Sequence, residues 1–91
     1  MANAKLITYD LNRPEQDYPD LIAEIKRFGS WAYVQKSVWI VSSANSCESI
    51  RDLLRSKADS NDMIFVASLS GEAAWTTAIC TNEQLKAVLT P

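Results

Sequence analysis

An α+β fold is predicted for this chain, with a four-stranded antiparallel sheet carrying two helices on one face. Three observations predict it. Short β-branched and aromatic runs alternate with helical periodicities in the order strand, helix, strand, strand, helix, strand. Residues suited to starting and stopping helices stand where that order needs them. The 91 residues, 47% apolar and 22% charged, suit one small domain with a thin core.

Residues 4–10 alternate and carry Ile7, Thr8 and Tyr9, which suits a strand that ends on Asp10. A polar loop follows over residues 12–17. Asp17 or Tyr18 then caps a helix with Pro19 at its first position, where the missing amide costs nothing. Leu21, Ile22, Ile25 and Phe28 give this helix one apolar face, and Gly29 stands where a left-handed terminating residue belongs. Trp31 to Gln35 and Ser37 to Ser42 read as a hairpin reversing at Gln35-Lys36-Ser37, with one long bent strand as the alternative. Asn45 or Ser46 caps the second helix, with Glu48 as a capping-box partner to Asn45. Ile50, Leu53 and Leu54 form its buried face.

Asn61-Asp62 is a turn, and Met63 to Ala67 reads as a buried strand. Thr76 to Cys80 adds a short edge strand, and Thr81 opens a final helix, residues 82–89, with Gln84 in the capping-box position. This order is that of a split βαβ, or ferredoxin-like, sandwich with a carboxyl-terminal extension. Its first and third strands lie inside the sheet, so Asp10 falls at the end of an inner strand. Apolar side chains alternate onto both sheet faces. The second face therefore needs a cover, from the carboxyl-terminal helix or from a second subunit, and a homodimer is expected.

Composition narrows the function. The net charge is −2, without the basic stripe of proteins that hold nucleic acid through its phosphates. Two cysteines, Cys47 and Cys80, and no histidine supply neither a zinc set nor a disulfide scaffold, which predicts reduced thiols in the cytoplasm. No run reaches the ~18 apolar residues of a membrane span, and the first residues lack the pattern of a signal peptide. Without histidine there is no Ser–His–Asp or Cys–His arrangement.

Asp10 is the one residue placed for chemistry. It is either a ligand for a divalent cation or an acid that caps the loop after its strand. Asp17, Asp20 and Glu24 are accounted for by the positive end of a helix. Ser37 is either a phosphate contact or a turn residue bonding its own backbone. Trp31, Tyr33, Trp39 and Trp75 either stack on bases or fill a sheet face.

The run Ile7 to Leu11, the helix ending at Gly29 and Val34-Gln35-Lys36-Ser37-Val38-Trp39 resemble the CRISPR-associated Cas-two family. The match is closer to its Cas-two-like offshoot, often labelled SinR family, through Tyr9 to Asn12, Asp17-Tyr18, Ser37 to Val41, Asn61-Asp62 and Gly71 to Trp75. The resemblance covers nearly the whole chain. It implies a dimeric ferredoxin-like fold. Some members are metal-dependent nucleases in which the strand-end aspartates of two subunits flank a divalent ion; others bridge integrase dimers on DNA. By position, Asp10 matches the metal-site aspartate, with Mg²⁺ or Mn²⁺ as its ion, and Ser37 matches the hairpin serine. Trp39 replaces a phenylalanine. Asn12, Arg13, Trp39 and Trp75 become candidate contacts to nucleic acid or to an interface. The family's arginines at the start of the first helix are replaced here by Glu15, Gln16, Asp17 and Asp20, with only Arg13 nearby. Two expectations follow: a metal-dependent endonuclease or nucleic-acid-handling dimer, or a non-enzymatic dimer that docks a protein partner. The residues leave open whether the chain is an enzyme.

Overall fold

The structure, a computed structural model, describes residues 3–11, 18–70 and 72–90. Its elements are β1 (Asn3–Asp10), α1 (Pro19–Lys26), β2 (Trp31–Gln35), β3 (Val38–Ser43), α2 (Cys47–Arg55), β4 (Met63–Ser68) and α3 (Asn82–Leu89). The four strands form one sheet in the order β2-β3-β1-β4, with every neighbouring pair antiparallel. Strands β1 and β3 are thus the inner pair. Among the described residues, no helix is long and apolar enough to cross a membrane.

The twofold alternation of strand side chains builds a core on each face of this sheet. On one face Ile7, Trp39 and Val41 meet Leu21 and Ile25 of α1 and Ile50 and Leu54 of α2, with Ile64 and Val66 of β4 packed against them. On the other, Ala4, Ala32 and Ile40 meet Leu85, Val88 and Leu89 of α3. Helix α3 lies on β2, β3 and part of β1, while α2 packs on β4.

Local chemistry sets the ends of these elements. Pro19 opens α1 and Gly29 follows it at φ +88°, a conformation that costs glycine nothing. The hairpin reverses through Lys36 and Ser37, with an irregular register between Tyr33 and Gln35, and Ser37 sits at φ +64°. Left-handed backbone costs a residue with a Cβ about 1–2 kcal/mol.

Several expectations are corrected. Ser46 rather than Asn45 caps α2, accepting a hydrogen bond from the Ser49 amide, so Glu48 falls one residue short of the capping-box position. Leu53 is 40% exposed, because Ile50 and Leu54, four apart, define the buried stripe and Leu53 lies beside it. At α3 the Thr81 hydroxyl accepts from the Gln84 amide, but the Gln84 side chain donates to the Trp31 carbonyl instead of closing a capping box. Residues 76–80 form no strand; the Ile79 and Cys80 amides instead donate to the Val34 and Tyr33 carbonyls along the outer edge of β2. The strand read as buried, β4, is an edge strand with Met63 65% and Phe65 59% exposed. α3 packs on β2, β3 and β1, and Met63 and Phe65 of β4 stay exposed.

Candidate functional site

Asp10 is the last residue of β1, level with Met63 of β4 in an antiparallel register that also sets Thr8 against Phe65. Alternation puts these four side chains on the sheet face that α3 covers only in part. They line, with Tyr9 and Ile64, a shallow concavity of about 360 Å³. Asp10 is exposed, and its carboxylate makes no hydrogen bond or ion pair among the described residues. The backbone amides around Asn12, which a loop-capping Asp10 would engage, lie outside the described residues.

Ser37 reaches the same end of the sheet. Its carbonyl accepts a hydrogen bond from the Tyr9 amide at 3.2 Å, which places the turn opposite Tyr9 and one residue from Asp10. The structure therefore brings Asp10 and Ser37 to one sheet end, Ser37 by way of a strained turn. Asn12 and Arg13 lie outside the described residues.

Trp39 does not share in this surface. Only 3% exposed, it points into the α1/α2 core, where its Nε1 donates to the Tyr9 hydroxyl at 3.1 Å. Its ring stacks on Tyr33 at 4.5 Å and tilts against Trp31 at 5.4 Å. No face of the indole is free for a base or a partner, which corrects its place among the candidate contacts. Lys26 lies 5.0 Å over the Trp31 ring and covers the edge of this cluster. Burial pushes the Tyr9 hydroxyl above its ordinary range; the Trp39 hydrogen bond, which favours the phenolate, offsets part of the rise, and the nearby Tyr33 adds to it. Trp75 is half-buried against the α3 core, and its Nε1 donates to Asn82 Oδ1 at 3.0 Å. It fastens the segment before α3.

No cluster of three or more metal-ligating side chains occurs among the described residues. A Mg²⁺ ion commonly keeps several waters and takes one or two protein carboxylates. One Asp10 carboxylate is the lower end of that range, and two chains sharing the ion would supply two.

Two features escaped the sequence reading. Met63 and Phe65 flank the aspartate because β4 is an edge strand, which only the strand order reveals. Lys5 is buried, its ammonium donating to Asn3 Oδ1 at 2.7 Å and to the Ser43 carbonyl at 3.0 Å; nothing in an alternating run marks it as inward-facing. No protein-family model matches the chain, and no solved structure matches it.

Proposed function

We propose that this chain is a ferredoxin-like, Cas-two-like protein that works as a homodimeric docking module for a protein partner, its nuclease chemistry lost. The fold reading is supported by the strand order: taken from the β4 edge it is β4-β1-β3-β2, with all neighbours antiparallel, as two interleaved βαβ units produce. One observation carries the functional reading, the exposed pair Met63 and Phe65 beside the Asp10 carboxylate, which is unpaired among the described residues. Exposed methionine and aromatic side chains next to an isolated charge are what a protein partner buries as anchor and rim. A polyanion needs cations at that place, and this surface offers apolar groups and a carboxylate.

The test is an assay for cleavage and for salt-sensitive binding of RNA and DNA with Mg²⁺ or Mn²⁺. No turnover and no salt-sensitive binding are expected, and Asp10→Asn leaves both unchanged. A photo-crosslinking residue in place of Met63 is expected to yield a discrete adduct with another protein, distinct from any adduct with a second copy of this chain. The nuclease reading rests on a different observation, that Asp10 and Ser37 share a sheet end. In it, two subunits hold a divalent ion between their Asp10 carboxylates, and the ion supplies an activated water. Ion-dependent cleavage that vanishes in Asp10→Asn at unchanged melting temperature would establish that reading and overturn the first.

A further inference from the structure

The two edges of the sheet are treated differently. Along β2, the Ile79 and Cys80 amides bond to the Val34 and Tyr33 carbonyls and occupy the outer edge. Along β4, no backbone hydrogen bond from the described residues reaches the outer edge. The direction of its free groups follows from one bond and the register with β1. The Leu69 amide donates to the Ala4 carbonyl, so Leu69 and the residues alternating with it, Ala67, Phe65 and Met63, turn their backbone groups toward β1. Ile64, Val66 and Ser68 therefore turn theirs outward.

Natural edge strands are blunted by charge, proline, bulges or shortness. β4 has none of these: it is the regular six-residue run Met-Ile-Phe-Val-Ala-Ser, uncharged and free of glycine and proline. An edge left in that state is a template for pairing with another strand.

From this we infer that the free edge of β4 pairs antiparallel with β4 of a second copy of this chain, with Phe65 opposite its own counterpart, forming one eight-stranded sheet. The inference rests on the homodimer reading above and names its interface. Outward-facing residues must pair with outward-facing ones, which sets Ile64 against the copy's Val66 and makes the Phe65 pair non-hydrogen-bonded, where side chains approach most closely. Met63 then faces the copy's Ala67, a large residue against a small one. Asp62, just before the strand, faces the copy's Ser68, so no like charges meet. The two exposed Met63–Phe65 surfaces become one apolar strip across the sheet centre. The two Asp10 carboxylates fall on opposite sides of the axis, about 20 Å apart at ordinary strand rise and spacing, too far to share an ion.

Cross-linking of the full chain, with Cys47→Ser and Cys80→Ser as background, tests this pairing. Light scattering is expected to give twice the 10.1 kDa chain mass at about 100 µM. Phe65→Cys is expected to cross-link on mild oxidation, Asp10→Cys is not, and Phe65→Lys, which sets like charges together, is expected to return the monomer mass with unchanged circular dichroism. Hydrogen exchange of the unmodified chain serves as a check that needs no variant: the Ile64 and Val66 amides are expected to be protected in the dimer and to lose that protection on dilution. A dimer that cross-links through Asp10→Cys, or not through Phe65→Cys, overturns the edge pairing and leaves the homodimer standing. A monomer at that concentration overturns both.

Discussion

At the scale of single residues, two of the candidate positions, Ser37 and Trp39, are occupied by local duties. Ser37 is held in left-handed backbone at φ +64°, where glycine is unstrained. Ser37→Gly is expected to raise stability by up to about 1 kcal/mol, and Ser37→Val to lower it by about 1–2 kcal/mol, read from urea midpoints. If Ser37 contacted phosphate, its glycine variant would lose nucleic-acid binding as well. Trp39 fills the core and donates to Tyr9, so Trp39→Ala is expected to cost about 3–5 kcal/mol. Tyr9 is expected to add a pH dependence. Its folded pKa lies above the ordinary tyrosine value of 10.0, so the folded chain holds that proton more tightly than the unfolded chain. The resulting stability is complete below pH 10.0 and is lost as pH rises through the folded pKa. Denaturation of the unmodified chain and of Tyr9→Phe across that range checks it: the variant's midpoint should fall less on the alkaline side.

The elements were legible to the extent that their signals are local. Pro19, Gly29 and Thr81 act through bonds and dihedrals within one turn, and each sits where its residue type predicts. Thr81→Ala removes the acceptor for the Gln84 amide and is expected to cost about 1 kcal/mol in a thermal or urea melt. The failures came where two neighbouring residues compete for one job. Asn45 and Ser46 are both good caps, and only the backbone path settles on Ser46, which moves Glu48 out of register. Residues 76–80 have the composition of a strand, yet they contribute two amides to the β2 edge without entering the ladder. Ile79→Pro removes one of those amides. It is expected to speed hydrogen exchange along β2 and leave β4 unchanged.

For the whole molecule the decisive quantity is which surface the three helices leave open. α1 and α2 seal one face against Ile7, Trp39 and Val41, whereas α3 closes only the β2–β3 side of the other. The remainder, with Met63, Phe65 and Asp10, is where any partner of this chain has its strongest reason to bind. A homodimer built there makes thermal stability a function of concentration. The melting temperature is expected to rise over roughly a hundredfold increase in chain concentration, as mass action requires, while a monomer's would stay fixed. By itself the sequence determined the number and order of strands and helices up to β4, the final helix, the chain reversals and the position of Asp10 at a strand end. Those depend on propensity, capping and periodicity within a few residues. Only the tertiary structure decided that β4 is an exposed edge, that Trp39 is core, and that Asp10 stands beside two exposed apolar side chains. These properties depend on which distant segment covers which face, and no local pattern encodes that.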